Sequence, residues 1–490
     1  MSSIVKMRTG RLCLPVLLLV GCWCFSQSAF AQGGSPDYKD GMTLKLDSSG
    51  QKYIRFMTWA TFWARQTQAN PGTAINGVRK DNWTDFSLRQ FRLVTYSQLS
   101  PRYLILADIG IDNQAFSSGG AAGGGNTGNG GQNYAGTLGK KPGLYLHDLW
   151  NEYAIVPDKD LVSGKNNKAS VYIGTGLHYW NGVSRMTSAG SANYLAVDVP
   201  LYNWPLVDLS DQFARQLGIY LKGNIGPVSY RWALNKPFSV LSTATAFPKG
   251  SRDSSFAVDN NATGKLATTG YAAWQFFDKE NTQLPYYTGT YVGTKKVFNL
   301  GAGYYHSAEG TVTQVSNSAL STFNRHSINL WAVDVFADLP FGGKNANWAF
   351  TGYSAFYHYD FGPNYLRYGS IINENVSQDP TFKGDVSQAG FGNSAPLIGT
   401  GTSWFTQAGL LLPKTIFQGK TRFQTFGEFS LQRFDRFKNA SFTYWSAGGN
   451  IYLDGHHARI SIKYQTRPVV VADRQDGSKG SLIIATQVFL

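Results

Sequence analysis

The feature that most constrains the fold is a short segment of alternating side chains that recurs along the chain. In residues 101–112, for example, Tyr103, Ile105 and Ile109 alternate with residues that include Asp108. Successive side chains of a β-strand point to opposite faces of the sheet. Each segment therefore predicts a strand with one apolar face and one partly wet face.

About sixteen such segments can be recognised by their period of two. They cover residues 51–67, 84–98, 101–112, 144–155, 169–180, 213–223, 227–237, 265–277, 294–308, 325–339, 346–361, 401–412, 421–434, 440–453, 457–467 and 480–490. Short turns and long polar loops mostly alternate between them, which is typical of membrane barrels. Two connections, 156–168 and 278–293, are longer than the expected turns, and we interpret them as small periplasmic excursions.

A closed sheet is the physical solution for strands in lipid, where every backbone N–H and C=O needs a partner. We therefore predict an all-β fold, a transmembrane antiparallel β-barrel of about sixteen strands over residues 51–490. The apolar segment 484–490 at the end of the chain is expected to be the closing strand. The alternative is a large soluble β-protein with an aromatic core.

The N-terminus has the pattern of an export signal. Basic residues precede an apolar stretch at 12–20, and a small-x-small site follows at 29–31. We predict a cleaved signal peptide at 1–31 and a short periplasmic segment at 32–50. Alternatively, Cys22 is lipidated, since residues 19–22 resemble a lipoprotein box. All three cysteines lie in the signal, so the remaining chain lacks disulfides and thiolate sites.

The charge balance of the exported chain is positive. Removing Lys6, Arg8 and Arg11 from the 44 basic residues leaves 41 against 30 acidic residues, a net charge of +11. A positive field favours anionic solutes or acidic surfaces, including lipopolysaccharide. The expected environment is the bacterial outer membrane, and nucleic acid is not an expected partner.

The third long loop, residues 181–212, is more apolar than a loop in water should be. Leu195, Val197, Leu201 and Leu206 lie in it, beside Tyr202 and Trp204. We expect this loop to fold against the inner wall, with Tyr202 and Trp204 at a constriction. The alternatives are a loop that covers the barrel mouth and a subunit contact.

Charged residues in and near this loop are the candidates for lining the lumen. They are Arg185, Arg215, Lys222, Arg231, Asp198, Asp208 and Asp211. A charge on the lipid face at the midplane costs about 2–4 kcal/mol, so strand cations are expected to face water or an interface. For any single arginine, binding to lipid phosphate is the competing interpretation. Arg89 and Arg92 have opposite parity and can both face inward only with a bulge.

The sequence gives no sign of catalysis, a cofactor or a metal. His147 and Asp148 are adjacent, and alternation in a strand places them on opposite faces, which rules out a dyad. No metal-type His/Glu spacing occurs. We therefore expect that the protein is not an enzyme.

Four stretches carry a resemblance to a known family. They are DFSLRQFR at 85–92, HDLWNEY at 147–153, GLHYWNG at 176–182 and DQFARQ at 211–216. The chain resembles Bacteroidetes-type outer-membrane porins, which are distantly similar to the phosphate-selective porins O and P. WNGVSR at 180–185 stands where those selective members have a different motif, so phosphate selectivity is not implied.

The resemblance implies a sixteen-stranded homotrimeric porin with an inward third loop. The expected function is passive diffusion of small hydrophilic solutes with modest anion preference. The alternatives are a barrel plugged by its loops that serves as an outer-membrane scaffold or assembly component, and a soluble exported binding protein.

Overall fold

The computed structural model describes residues 42–115, 143–200, 202, 204–211, 213–242, 255–314, 323–343, 347–416, 420–438 and 440–490. The predicted signal peptide, Cys22 and residues 32–41 lie outside the described part. So does Leu201 of the third loop.

Sixteen long strands form one closed antiparallel barrel. The main sheet has 18 strands. Sixteen of them form the barrel, and the other two are short strands that pair with barrel strands. The barrel strands are β1 Tyr53–Gln68, β2 Asn82–Gln98, β3 Tyr103–Gln114, β4 Tyr145–Val156, β5 Ala169–His178, β6 Gln216–Ile225, β7 Val228–Lys236, β8 Ala267–Gln275, β9 Val297–Gln314, β10 Phe323–Phe341, β11 Trp348–Asp360, β12 Gly401–Leu411, β13 Arg422–Phe434, β14 Ser441–Asp454, β15 Ala458–Val471 and β16 Arg474–Phe489. Each pairs with the next in the chain, and β1 pairs with β16 from Trp59↔Phe489 to Thr67↔Ser481. The predicted fold class is confirmed.

The remaining regular structure is short. Met42–Lys45 pairs antiparallel with the beginning of β1, and Val258–Asp259 pairs with β9. Thr73–Ile75, Val78–Arg79 and Val376–Gln378 form one small sheet, and Leu366–Gly369 with Ala395–Gly399 forms another. The 3-10 turns are Met186–Ser188, Ser191–Asn193, Val207–Leu209, Lys414–Ile416 and Asp435–Phe437. Among the described residues, no helix has the length and apolar character needed to cross a bilayer.

Alternation along the strands separates an apolar outside from a polar inside. In β15, Ile462 and Tyr464 are exposed on the outer surface, whereas Arg459 and Lys463 are buried inside. Because a lipid-facing side chain must be apolar, this alternation fixes which face of each strand is the outer one.

At two bulges the alternation of faces is interrupted, so that polar residues expected on opposite faces share the inner face. Thr61 pairs with Gln90 but Phe62 pairs with Leu88, so the bulged residue Arg89 lies inside together with Arg92. A second register shift, in which Asp108 pairs with Asp148 and Ile109 with Leu146, makes His147 the extra residue in β4. His147 and Asp148 are both buried, so the expectation that they occupy opposite faces is wrong.

Candidate functional site

Residues 179–215, between β5 and β6, form a loop that we call the inner loop. It crosses the interior to the opposite wall, where the Tyr194 hydroxyl donates to Gln407 Oε1 of β12 at 2.6 Å. Asn450 of β14 donates to the Leu195 carbonyl at 2.6 Å. Val183 and Leu195 have no solvent exposure, which explains the apolar composition of the loop.

Glycines in the wall make room for the inner loop. A Cβ added at Gly303 of β9 would lie 2.5 Å from the Val183 carbonyl oxygen. A Cβ at Gly409 of β12 would lie 2.7 Å from Cδ1 of Leu195. Because a side chain at either position would displace the loop, these two glycines allow its backbone and side chains to approach the wall.

The connection 276–296, between β8 and β9, also enters the barrel, and we call it the strap. The Tyr287 N–H donates to the Ser188 carbonyl at 2.7 Å, and the Gly190 N–H donates to the Tyr287 carbonyl at 2.8 Å. Ala189 and Tyr287 thereby form a parallel bridge. Interpreting 278–293 as a small periplasmic excursion was wrong, because these hydrogen bonds hold it against the inner loop.

The four cations predicted to line the lumen all contact the strap. Arg185 donates to both oxygens of Glu280, at 2.5 and 2.7 Å. Lys222 donates to the Thr282 carbonyl at 2.8 Å, and Arg231 donates to the Pro285 carbonyl at 2.8 Å. Arg215 Nη2 donates to the Tyr286 hydroxyl and to Asp148 Oδ2, each at 2.9 Å.

These cations are also covered and mostly neutralised. All four are buried, and Lys222 additionally pairs with Glu152 at 2.9 Å. Burial acts to raise the pKa of Glu280, but the Arg185 guanidinium lowers it below its usual value overall. The positive charge on this side of the interior is therefore used to hold the strap. An effect of these four residues on permeation stays a prediction.

The three predicted acidic residues have separate partners. Asp198 pairs with Arg89 at 2.6 Å, and Asp208 pairs with Arg367 at 2.5 Å. Asp211 Oδ1 accepts the backbone N–H of Arg215 at 2.9 Å, and burial raises the pKa of Asp211. Only Asp198 of these three lies at the cavity described below.

Tyr202 and Trp204, the predicted constriction residues, have different surroundings. The Tyr202 ring stacks on Tyr357 with 5.5 Å between centroids, and its hydroxyl accepts from Gln432 Nε2 at 2.7 Å. The Trp204 ring lies 5.9 Å from the Arg89 guanidinium carbon, and its carbonyl accepts from Arg367. Tyr202 lines the cavity and Trp204 does not.

A cavity lies between the inner loop, the connection 361–400 between β11 and β12, and the wall formed by β1 and β12–β16. Its volume is about 130 Å³. Its charged lining residues, among those the structure describes, are Arg65, Asp198, Glu428, Lys463 and Arg467. Three cations against two carboxylates leave a net charge of +1 there.

Sequence reasoning missed four of these five charged residues. The signal was available for Lys463, because it shares the polar parity of β15 with Arg459 and Gln465. Lys463 pairs with Glu428 across the cavity wall at 2.6 Å. Arg65 donates to the carbonyls of Ile371 and Ile372 at 2.9 and 2.8 Å, contacts that no local pattern shows.

One cluster near the strap has the spacing of a metal site. The candidate ligand atoms of Asp108, His147 and Asp148 lie within 4.8 Å of one another. Arg92 Nη2 lies 2.9 Å from His147 Nε2, and Arg215 binds Asp148. A metal cation would therefore meet two guanidinium groups, and the cluster is better described as a buried network of hydrogen bonds and ion pairs.

Comparison with known proteins gives structural likenesses only. No family model matches the sequence, and no curated protein matches it. The high-pH structure of Pseudomonas putida OprB has 12% identity and a TM-score of 0.47, covering 89% of this chain and 94% of that chain. The outer membrane channel DcaP of Acinetobacter baumannii has 10% identity and a TM-score of 0.45, with 91% and 99% covered. Salmonella typhi OmpF in complex with daunomycin has 9% identity and a TM-score of 0.44, with 90% and 98% covered.

Proposed function

We propose that the protein is a bacterial outer-membrane channel for passive diffusion of small hydrophilic solutes, with modest anion preference and no enzymatic activity. The observation that carries the proposal is the charged cavity between the inner loop and the wall of a barrel that is apolar outside. A polar interior within an apolar skin is the arrangement by which barrels pass solutes across lipid.

The outer surface supports a lipid environment. Phe62, Leu217, Val333 and Ile484 come from four different strands, and each is more than a third exposed. Exposed apolar side chains around a closed barrel cost little in lipid, whereas in water they would favour aggregation. The expected surroundings are outer-membrane lipid and lipopolysaccharide. The resemblance of the sequence also implies a homotrimer, which crosslinking in native membranes would test.

The anion preference is assigned to the cavity rather than to the strap-bound cations. Lys463 and Arg467 lie on β15 beside the cavity, and Arg65 lies on the adjoining wall. Fixed cations along a pore raise anion occupancy and repel cations. Because Glu428 pairs with Lys463 at 2.6 Å and Asp85 lies 3.9 Å from Arg65, the preference is expected to be modest.

Planar-bilayer recording in a KCl gradient tests the proposal. We expect stable single-channel currents with a reversal potential that favours chloride. Arg467→Met should shift the reversal potential toward cation selectivity more than Lys222→Met, because Lys222 is paired with Glu152 and bound to the strap, whereas no carboxylate in the described part of the chain lies within ion-pair distance of Arg467. Lys165→Met, an exposed residue in the turn between β4 and β5, is the control. A cation-selective wild type would contradict the anion preference.

A second candidate, a plugged barrel that acts as a scaffold, is supported by the packing of the interior. The inner loop and the strap meet inside the barrel, and inward residues such as Tyr220, Asn235 and Asp338 have no exposure. Correctly folded protein that inserts into bilayers but passes no current would favour this candidate over the channel.

A further inference from the structure

We propose that the cavity is a saturable binding site for a small carboxylate that also carries hydroxyl groups, such as a sugar acid. The inference rests on the proposed channel, because it gives the cavity of that channel a ligand. It goes beyond general diffusion by predicting binding that saturates and discriminates among solutes.

The first observation is a group of buried polar atoms without hydrogen-bond partners. Among the described residues that line the cavity, seven side-chain atoms lack a partner in the protein. They are Trp63 Nε1, Arg65 Nε, Ser370 Oγ, Asn393 Oδ1, Glu428 Oε1, Gln432 Oε1 and Arg467 Nε. These atoms have almost no accessible surface, so a ligand in the cavity binds them only when their side chains turn toward it. A buried polar group without a partner costs about 1–3 kcal/mol, which favours that turn when a ligand supplies the missing partner.

The unpartnered donors indicate a carboxylate. Arg65 donates through Nη1 and Nη2 to two backbone carbonyls, and Arg467 donates to the Gln68 carbonyl, so both guanidinium groups are held in place. No carboxylate in the described part of the chain lies within ion-pair distance of Arg467, whereas Arg65 has one long ion pair, with Asp85 at 3.9 Å. Two oriented guanidinium groups with free Nε–H groups match the oxygens of a carboxylate.

The unpartnered acceptors indicate hydroxyl groups on the same ligand. Asn393 Oδ1, Glu428 Oε1 and Gln432 Oε1 can each accept a hydrogen bond but cannot donate one through that atom. A simple inorganic anion offers few protons to them. A ligand with several hydroxyl groups satisfies these acceptors while its carboxylate binds the arginines.

Aromatic residues complete the site. Trp63, Tyr202 and Phe405 line the same cavity, and the last two rings lie 5.5 Å apart. Such rings pack against the C–H groups of a small ring, while polar groups fix its orientation. The combination of guanidinium, acceptor and aromatic groups fits a sugar acid better than a sugar or a short-chain carboxylate.

Isothermal titration calorimetry on the full chain, folded in detergent micelles, tests the assignment. The probes are D-glucuronate, D-glucose, which lacks the carboxylate, and acetate, which lacks the hydroxyl groups. We expect D-glucuronate to bind at least ~10-fold more tightly than either of the others, since each loses hydrogen bonds to charged or buried groups. Arg467→Met should weaken D-glucuronate binding by about 10-fold and leave D-glucose binding unchanged.

Controls keep the test decisive. Arg467→Lys retains the charge but loses the Nε–H donor, so its affinity for D-glucuronate should lie between those of the wild type and Arg467→Met. This variant keeps the test informative if Arg467→Met disturbs folding. Lys165→Met should bind like the wild type. Equal affinity for D-glucose and D-glucuronate, or no binding at all, would overturn the assignment. D-glucuronate binding without ion current would support the binding site and contradict the proposed channel. Ion current without binding would support the channel and contradict the binding site.

Discussion

Glu280 is the residue whose loss should release the strap. Both of its carboxylate oxygens accept from Arg185, and they also accept from the Tyr291 hydroxyl and from Asn299 Nδ2, each at 2.5 Å. Its own N–H donates to Gln275 Oε1 at 2.7 Å. Glu280 therefore fixes the beginning of the strap to β8, β9 and the inner loop together.

The expected magnitude follows from the burial of the Glu280–Arg185 pair. Both side chains are about 5% exposed, so Glu280→Gln leaves a buried guanidinium without its counter-charge. Breaking such a pair costs about 3–5 kcal/mol, and the amide oxygen recovers part of it. A loss of ~3 kcal/mol shifts the ratio of docked to free strap by roughly 100-fold. Because the pKa of Glu280 is lowered, the pair is intact at neutral pH and the full effect should appear there.

Two measurements report on the strap. Single-channel conductance of Glu280→Gln should rise, because a released strap opens the side of the interior that it now fills. The midpoint of thermal unfolding should fall. It is measured as the temperature at which the band of the folded protein in SDS gels shifts to the mobility of the unfolded chain. Asp278→Asn, an exposed carboxylate of the same strap, should change neither quantity. If Glu280→Gln matched the wild type in both, the strap would not depend on this ion pair.

Two further predictions concern a titratable turn and a glycine contact. Burial, together with the nearby Arg459, lowers the pKa of His456 to about 4, and its Nε2 lies 2.9 Å from the Thr290 carbonyl of the strap. Because the pKa of His456 is lower in the folded than in the unfolded protein, the stability that its neutral form contributes is complete above about pH 6.5 and is lost as the pH falls toward 4. The unfolding midpoint should therefore drop over this pH range in the wild type, and drop less in His456→Asn. Gly303→Ala places a Cβ 2.5 Å from the Val183 carbonyl oxygen and should destabilise the barrel by about 1–3 kcal/mol in urea titrations. Gly427→Ala, with its nearest atom at 3.7 Å, should be nearly neutral, and equal effects of the two substitutions would refute the steric explanation.

The barrel could be predicted from the sequence because lipid imposes a simple rule on each strand. One face must be apolar, so the parity of residues such as Ile462 against Lys463 is visible without any tertiary information. The same rule failed where a bulge adds one residue. His147 and Asp148 share the inner face because β4 has a register shift opposite Asp108, and nothing in the local pattern marks that shift.

The contents of the barrel were less accessible to sequence reasoning. The apolar composition of the inner loop was a usable signal, because Leu195 and Val183 need a dry surface. The sequence of the strap carries no such signal beyond its length. Glu280 and Tyr286 are polar residues, which suit a turn in water as well as a buried hydrogen-bond network. Their partners, Arg185 and Arg215, are distant in sequence, and only the fold brings them together.

Net charge is therefore a poor guide to the selectivity of such a barrel. The exported chain is predicted to carry a net charge of +11, yet cations such as Arg185 and Lys222 are paired with carboxylates inside the barrel. A paired and buried charge has little field left for a passing ion, whereas an unpaired one such as Arg467 keeps its field along the cavity. Removing Arg467 should therefore change ion selectivity more than removing Arg185, even though each substitution changes the total charge by the same amount. Equal shifts would mean that the summed charge of the protein, and not its placement, sets the preference.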